Sequence, residues 1–175
     1  MGKIVVMGVS GSGKSVVGKA LATDLNIPFI DGDDLHPKSN KEKMSKGIPL
    51  SDEDRAPWLE LVSDELAKNP SLLIACSALK RRYRADIRSI NPGVVFIHLT
   101  APIDQLTERL KARGEHFMSP SLLLSQLETL EPLTPEESGF TIENTGPVER
   151  IIQIALNKLA TLELEQTRSG RVDNE

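Results

Sequence analysis

The sequence predicts an α/β fold with a parallel sheet. Short apolar segments alternate along the chain with segments in which apolar residues recur at helical spacing. The first apolar segment, Lys3–Met7, is β-branched and continuous, as expected of a strand that is buried on both faces. A glycine-rich loop follows it, and a helical pattern begins at Lys14. This alternation is typical of βαβ units, in which successive strands run parallel.

The elements of the first half follow in order from that strand. A helix is predicted over Lys14–Leu25, and Asn26-Ile27-Pro28 ends it. The pattern then predicts a short strand, a long helix and a third strand, at Pro28–Ile30, Asp52–Ala67 and Ser71–Ala75. Residues 31–55 are mostly polar, which indicates an insertion at the ligand-binding edge of the sheet rather than a separate domain.

The second half continues the alternation and closes the domain. Helices are predicted at Lys80–Ile90, Pro102–Ala112, Pro120–Leu130 and Pro147–Leu164, and strands at Val94–Leu99 and Phe140–Glu143. We therefore predict one domain over residues 1–165, followed by a polar, frayed tail over residues 166–175.

Composition limits the class of protein. The chain has 175 residues, a formal net charge of -4, a pI near 5.5 and one cysteine. A net acidic chain is a poor general binder of nucleic acid or of anionic membranes, and no apolar run is long enough to span a bilayer. A lone cysteine cannot form an intrachain disulfide. We therefore expect a cytoplasmic protein without nucleic-acid or membrane partners.

The glycine-rich loop matches the phosphate-binding pattern G-x-x-x-x-G-K-[ST]. Its glycines let backbone N–H groups turn towards phosphate oxygens, and the helix that it opens adds unpaired N–H groups. Lys14 would place a positive charge between the β- and γ-phosphates of ATP, and the Ser15 hydroxyl would bind Mg²⁺. The predicted nucleotide site consists of Gly8, Val9, Ser10, Gly11, Ser12, Gly13, Lys14 and Ser15.

The chain lacks the other signatures of the common P-loop machines. It has no D-x-x-G motif, and Asn40-Lys41-Glu42-Lys43 lacks the final Asp of the N-K-x-D motif that a GTPase needs. The third and fourth strands end in Ala75-Cys76-Ser77 and His98-Leu99-Thr100, without the acidic residue with which motor and remodelling ATPases hold Mg²⁺. A switch or a motor is therefore disfavoured.

Acidic residues instead follow the second strand. Asp31 and Asp33 would share one side of an extended chain at the carboxyl edge of the sheet, where parallel sheets bind ligands. Asp31 would support Mg²⁺ through its water shell, and Asp33 would orient and deprotonate an acceptor hydroxyl. The alternative is an Asp-rich turn, and for Asp34 we expect the structural role of a helix cap.

Two arginines point to phosphoryl transfer. Arg109 and Arg113 lie four residues apart on a predicted helix, where like charges repel each other unless an anion relieves them. They are therefore candidates to clamp the moving phosphoryl group. A solvated helix face is the alternative. Gly114 would let this segment hinge as a lid that excludes water.

A second set of polar residues would hold a small anionic acceptor. Lys80 and Arg84 lie on one face of the helix after the third strand. Arg55 could add a carboxylate fork, unless it pairs with the acids at 52–54. His36 follows the acidic turn and could hydrogen-bond a hydroxyl or a carboxylate. The remaining histidines are too scattered for a zinc site, and the cysteine is expected to be a buried apolar residue.

In these residues the chain resembles the gluconokinase family of P-loop kinases, which is related to the shikimate kinases and the nucleoside monophosphate kinases. The His-Pro turn, the Asp-Arg-x-Pro-Trp helix start and the Cys-Ser-Ala-Leu-Lys strand end are the most specific features. The matching segments are Met7–Ser15, Phe29–Pro37, Pro49–Leu59, Cys76–Lys80 with Tyr83-Arg84, Arg109–Arg113 with His116-Phe117, and Gln126–Pro132.

The resemblance implies a P-loop NTPase-type, three-layer α/β/α fold. It implies a five-stranded parallel sheet in the order 2-3-1-4-5, a helical lid near residues 109–130, adenine packed against the loop near Asn144–Pro147, and often a homodimer. It also implies that ATP and Mg²⁺ serve to phosphorylate D-gluconate to 6-phospho-D-gluconate, which feeds the pentose phosphate or Entner–Doudoroff routes.

The predicted site residues combine the motifs with the resemblance. The catalytic residues are Lys14, Asp33, Arg109 and Arg113, the metal residues are Ser15 and Asp31, and the substrate residues are Asp33, His36, Arg55, Lys80 and Arg84. Two other functions remain open. One is another small-acceptor kinase such as a shikimate kinase, although no Gly-Gly-Gly turn follows the third strand. The other is a nucleotide-dependent binding or regulatory module without an acceptor.

Overall fold

Five parallel strands form a central sheet with helices on both faces. The computed structural model describes residues 2–114 and 119–172. The strands are β1 (Lys3–Met7), β2 (Phe29–Asp31), β3 (Leu72–Ala75), β4 (Val95–Thr100) and β5 (Gly139–Glu143). The helices are α1 (Lys14–Leu25), α2 (Lys38–Ser45), α3 (Asp52–Lys68), α4 (Arg81–Ile90), α5 (Ile103–Ala112), α6 (Pro120–Thr129) and α7 (Val148–Val172), and a 3₁₀ turn spans Gly32–Leu35.

The strand order is β2-β3-β1-β4-β5, and every neighbouring pair is parallel. At the centre, Val5 of β1 is in register with Ile74 of β3 on one side and with Phe96 of β4 on the other. The predicted five-stranded sheet and its order are confirmed. Because the strands run parallel, their carboxyl ends meet at one edge, where the β1–α1 loop and the acidic turn after β2 both lie.

The alternation of side chains along β1 separates two cores. Val5 and Met7 pack with residues of α3 and α4, whereas Ile4 and Val6 pack with residues of α1 and α7. All four side chains are buried. Burial of an apolar side chain of this size stabilises the fold by about 2 kcal/mol. The glycine-rich loop therefore starts from the central strand of the sheet, whose side chains are buried on both faces.

The structure differs from the prediction around the polar segment after β2. Helix α2 was not predicted, because this segment has no apolar periodicity and Asn40 is its only buried residue. The prediction that Asp34 caps a helix was wrong. Asp31 caps the 3₁₀ turn instead, since its Oδ1 accepts a hydrogen bond of 3.1 Å from the Asp33 N–H.

The second half differs mainly in the length of its last helix. Helix α7 continues through Val172, so part of the predicted polar tail is helical. Of the lid predicted over residues 109–130, the structure describes the end of α5 and helix α6; residues 115–118, including His116, lie outside the described residues. None of the helices in residues 2–114 and 119–172 is both long enough and apolar enough to cross a bilayer.

Candidate active site

The β1–α1 loop has the backbone shape of a phosphate cradle. Gly11 and Gly13 have φ angles of 81° and 95°, which a residue with a Cβ rarely adopts. A Cβ at Gly13 would also collide with Nδ2 of Asn144, which donates a hydrogen bond of 2.8 Å to the Ser12 carbonyl oxygen. No side chain caps the start of α1. Its first N–H groups are therefore available to an anion.

Lys14 is the partly buried cation of this loop. Its Nζ donates a hydrogen bond of 3.1 Å to the Val9 carbonyl oxygen. Burial lowers the pKa of Lys14, and the nearby carboxylates of Asp33 and Asp31 partly offset this effect. The negative charge of a bound polyphosphate would stabilise the charged form of this desolvated ammonium group.

The two predicted acidic residues lie opposite the loop. The Ser15 hydroxyl donates a hydrogen bond of 2.5 Å to Oδ2 of Asp31, which joins the start of α1 to the end of β2. Asp33 acts on Lys14 more strongly than any other charge. A hydroxyl and a carboxylate in contact at the edge of a cavity are hard oxygen donors of the kind that Mg²⁺ binds together with nucleotide phosphates. The residues present therefore fit a nucleotide-bound Mg²⁺.

These groups line one cavity of about 720 Å³. This volume suits a nucleotide phosphate tail together with a small acceptor. Of the predicted site residues, the cavity is lined by Ser10, Gly11, Gly13, Lys14, Ser15, Asp31, Asp33, His36, Arg55 and Arg113. Gly8, Val9 and Ser12 belong to the loop but do not line the cavity. The predicted cations Lys80, Arg84 and Arg109 do not line it either.

The arginines of α5 have separate positions. Arg113 lines the cavity, and its charge contributes to the lowered pKa of Lys14. Arg109 instead donates hydrogen bonds to two backbone carbonyl oxygens, at 3.1 Å to Gly11 and at 2.5 Å to Asn144. Its guanidinium therefore ties the loop to the segment after β5. Of the two arginines that the sequence predicted to clamp the phosphoryl group, the structure places only Arg113 on the cavity wall.

Arg84, which the sequence predicted to bind the substrate, does not line the cavity. Its side chain is fully buried and pairs with Glu137, at 2.6 Å from Nε to Oε1 and at 2.9 Å from Nη2 to Oε2. It also donates to the carbonyl oxygens of Ala78, Leu79 and Pro132. These partners use the whole guanidinium group, so Arg84 fastens α4 to the loop before β5.

Lys80 also lies outside the cavity. Its ammonium pairs with Asp52 at 3.0 Å, and Asp52 also accepts a hydrogen bond from the Tyr83 hydroxyl. Arg55 behaves differently, because the only hydrogen bond of its side chain within the described residues runs from Nη1 to the Tyr83 hydroxyl, at 3.3 Å. The local ion pair considered for Arg55 does not form, and its guanidinium is available to an anion in the cavity.

His36 lines the cavity on the face of Trp58. The two rings stack with centroids 4.0 Å apart, and the Trp58 indole donates a hydrogen bond of 2.7 Å to the Gly32 carbonyl oxygen. Burial lowers the pKa of His36 to about 4, assisted by the charges of Lys41 and Arg55. His36 is therefore neutral at physiological pH. The expected apolar role of Cys76 agrees with its burial, which raises the pKa of the thiol to about 12.

Sequence reasoning missed three residues that shape this site. Asn144 supports the loop from behind, as described above. Gln126 of α6 lines the cavity, and its Oε1 accepts a hydrogen bond of 2.8 Å from the Ser10 N–H. Asn40 contacts His36 from α2. Gln126 falls within a segment that carries the resemblance, and Asn144 begins the loop that the resemblance places near adenine, but no pattern in the sequence assigned Asn144 a contact with the phosphate loop or gave Asn40 any role.

Comparisons with known proteins point to one group of kinases. A family model described as shikimate kinase matches residues 10–159. The thermoresistant gluconokinase of Escherichia coli (strain K12) is 44% identical over 153 residues, which cover 85% of this chain and 87% of that protein. The gluconokinase of Gluconobacter oxydans (strain 621H) is 49% identical over 132 residues, covering 73% of this chain and 74% of that protein.

Solved structures agree with this result. The crystal structure of a gluconokinase from Sinorhizobium meliloti 1021 is 46% identical, has a TM-score of 0.89, and covers 96% of this chain and 97% of that one. A shikimate kinase from Aquifex aeolicus, at 19% identity, has a TM-score of 0.60 over 93% of this chain and 98% of its own. The second likeness concerns the fold alone.

Proposed function

The chain belongs to the gluconokinase family, and we propose that it uses ATP to phosphorylate D-gluconate on its primary hydroxyl, giving 6-phospho-D-gluconate. One observation carries the proposal: the ammonium of Lys14 and the carboxylates of Asp31 and Asp33 share a cavity with Arg55 and His36, whose side chains can donate hydrogen bonds to an acceptor. The relatives named above are gluconokinases by name, which supports the choice of acceptor.

The loop and its cations would hold the triphosphate. Backbone N–H groups at the start of α1 bind phosphate oxygens, and Lys14 neutralises charge on the β- and γ-phosphates. Arg113, on the cavity wall, is the residue that we propose to stabilise the transferring phosphoryl group. Arg109 acts indirectly, because its hydrogen bonds keep the loop in its cradle shape.

Ser15 and Asp31 are the residues that we propose for Mg²⁺. When bound, the ion neutralises phosphate charge and orients the triphosphate. The contact of 2.5 Å between the two side chains supports this assignment, because it brings a hydroxyl and a carboxylate oxygen together beside the loop. Asp31 also accepts the Asp33 N–H, so it orients the neighbouring carboxylate.

Asp33 is the proposed general base. Its carboxylate accepts the proton of the primary hydroxyl as the alkoxide oxygen forms a bond to the γ-phosphorus. The bond between that phosphorus and the β–γ bridging oxygen breaks, and ADP leaves with the electron pair. Asp33 and Lys14 line the same cavity and the charge of Asp33 raises the pKa of Lys14, which supports a position of Asp33 near the triphosphate.

The carboxylate end of the sugar acid would bind at Arg55 and His36. Arg55 and His36 line this part of the cavity, and the charge of Arg55 acts on His36, which supports their placement at the same end. Lys80 and Arg84 are withdrawn from the acceptor set, because Asp52 and Glu137 occupy them. The proposal thus has fewer acceptor contacts than the sequence predicted.

The test is acceptor-dependent release of ADP. The protein is incubated with ATP and Mg²⁺ and with gluconate, other aldonates, shikimate or no acceptor. We expect fast turnover with gluconate alone and a product phosphorylated at the primary hydroxyl. Equal ADP release without an acceptor would favour a nucleotide-dependent module, and turnover with shikimate alone would favour the related kinase.

Two substitutions test the assigned roles. Lys14→Ala and Asp33→Asn should each lower kcat by about 10²-fold or more while the melting temperature stays near that of the wild type. Asp34→Asn is the matched control, because Asp34 is an exposed neighbour of Asp33 without a proposed role. Wild-type turnover in Asp33→Asn would remove the base assignment.

We also propose a cytoplasmic homodimer. A single buried cysteine supports a reducing compartment, and the family resemblance supports the dimer. Light scattering of the purified protein would measure the mass directly. A mass near 19.2 kDa would contradict the dimer.

A further inference from the structure

Asn40 is an unusual residue for the position that it holds. It is the only buried residue of α2, and it is polar. Its side-chain nitrogen, Nδ2, lies 2.8 Å from the carbonyl oxygen of Asp54 and 3.2 Å from Nδ1 of His36. A buried carboxamide with two partners on one atom constrains both of them, because each partner must accept a hydrogen.

The contact with Asp54 settles which end of the carboxamide faces His36. A backbone carbonyl only accepts, so the Asn40 atom beside it must be the NH₂ group and not the oxygen. That group has two hydrogens, and one is given to Asp54. The other points at Nδ1 of His36, which must therefore present a lone pair. A neutral imidazole with a lone pair on Nδ1 has its proton on Nε2.

The surroundings of His36 are consistent with a neutral ring. An imidazolium would carry a hydrogen on Nδ1 and direct it against the Asn40 NH₂ group. The charged groups near the ring are Lys41 of α2 and Arg55 of α3, both cationic, and they too disfavour a positive ring. Asp33 and Asp34 of the 3₁₀ turn line the same cavity. Stacking on Trp58 fixes the plane of the ring.

We propose that Asn40 is a positioning residue that holds His36 as the Nε2–H tautomer, so that Nε2 donates a hydrogen bond to the carboxylate of the bound sugar acid. Nε2 has no hydrogen-bond partner within residues 2–114 and 119–172. Arg55, at the same end of the cavity, provides the positive charge for that carboxylate, and His36 adds a neutral donor. The identity of the acceptor rests on the proposed function; the tautomer does not.

The tautomer is measured directly on the wild-type protein. Nitrogen-15 NMR of the histidine side chains distinguishes Nε2–H, Nδ1–H and imidazolium forms, and a His36→Gln variant assigns the signals. We expect His36 to be the Nε2–H form at neutral pH, with no titration down to about pH 5. An Nδ1–H or an imidazolium signal at neutral pH would overturn the proposal, whatever the enzyme assay gives.

Asn40→Asp tests the positioning role. Its carboxylate accepts a hydrogen from Nδ1, so the pKa of His36 should rise by about 1–3 units. Above that pKa, Nε2 carries a lone pair that faces the substrate carboxylate. The KM for gluconate should then rise by about tenfold between about pH 5 and pH 8.5, with a smaller change in kcat, whereas the KM of the wild type stays flat. A flat KM profile in the variant would refute the role.

Asn91→Asp is the matched control. Asn91 is also buried, and its Nδ2 also has two hydrogen-bond partners, but both are backbone carbonyl oxygens, of Ser63 and Ile87, and neither is a histidine. Asn91 does not line the cavity. It should lose stability without a pH-dependent KM. If gluconate is not a substrate but NMR gives the Nε2–H form, the proposed function fails and the tautomer stands. If gluconate is turned over but NMR gives the Nδ1–H form, the proposed function stands and the proposed tautomer fails.

Discussion

Removal of the charge of Arg84 should destabilise the fold rather than weaken the affinity of the protein for the acceptor. Arg84 and Glu137 are 0% and 2% exposed, and two short hydrogen bonds join them. Arg84→Met leaves the Glu137 carboxylate buried without a partner and removes donors from three carbonyl oxygens. Breaking a buried pair in this way costs about 3–5 kcal/mol, a large part of a total stability of about 5–15 kcal/mol.

The assay is urea unfolding followed by fluorescence of the single tryptophan, together with a thermal melt. The melting temperature of Arg84→Met should fall by roughly 10 °C or more. The double variant Arg84→Met with Glu137→Met should recover much of the loss, because no unpaired charge remains buried. KM for gluconate, measured on the folded fraction, should change by less than about twofold.

A neighbouring ion pair is the control for this experiment. Arg81 and Glu136 approach to 3.8 Å but are 57% and 70% exposed, so Arg81→Met should cost less than about 0.5 kcal/mol. If Arg84→Met melts like the wild type and its KM rises manyfold, Arg84 is a substrate residue and the structural assignment made above is wrong.

Three further predictions concern Tyr83, the two buried histidines and Gly139. Tyr83→Phe should raise the KM for gluconate about 3- to 10-fold with kcat nearly unchanged, because Arg55 loses its side-chain hydrogen bond. Steady-state kinetics measure both constants. An unchanged KM would show that Arg55 does not need Tyr83 to hold its position. The pKa values of His36 and His98 are lowered to about 4 by burial, so as pH falls below about 6.5 the unfolded chain binds protons first. The free energy of unfolding should therefore fall between about pH 6.5 and 4, by on the order of 3 kcal/mol per histidine, and urea unfolding that is independent of pH in this range would contradict it. Gly139→Ala should lower the melting temperature by several degrees, since its Cβ would collide with a carbonyl oxygen of β4; a melt equal to the wild type would mean that β5 can shift.

The sequence predicted the fold well because its signals were of the kind that backbone geometry imposes. The continuous apolar segments became β1, β3 and β4, which are buried on both faces. The spacing from Gly8 to Ser15 predicted a loop between a strand and a helix, and the structure has one there. Helix α2 was missed because it has no apolar stripe, and stripes are what periodicity detects.

The site was predicted less completely, for a related reason. A motif indicates which chemistry a residue offers but not which partner takes it. Arg84 and Lys80 have the right charge for an acceptor, yet Glu137 and Asp52 are closer to them than the cavity is. Asn40 and Gln126 have no charge and no pattern, and only tertiary contacts reveal them. A sequence shows which residues are charged, whereas only the folded structure shows which partner each charged side chain contacts.

Asp54 combines three tasks that a sequence would list as one acidic residue. Its carboxylate completes the cap of α3 with Ser51 and binds Lys43 of α2, at 2.7 Å, while its carbonyl oxygen accepts from Asn40. A substitution at this position would therefore weaken the cap of α3, the ion pair between α2 and α3, and the contact that holds the Asn40 carboxamide. In a mutational scan such a variant would resemble a loss of affinity for the acceptor, although Asp54 itself is not on the cavity wall. Mutational data alone would thus assign Asp54 to the binding site, although it acts on the site only through Asn40 and α2.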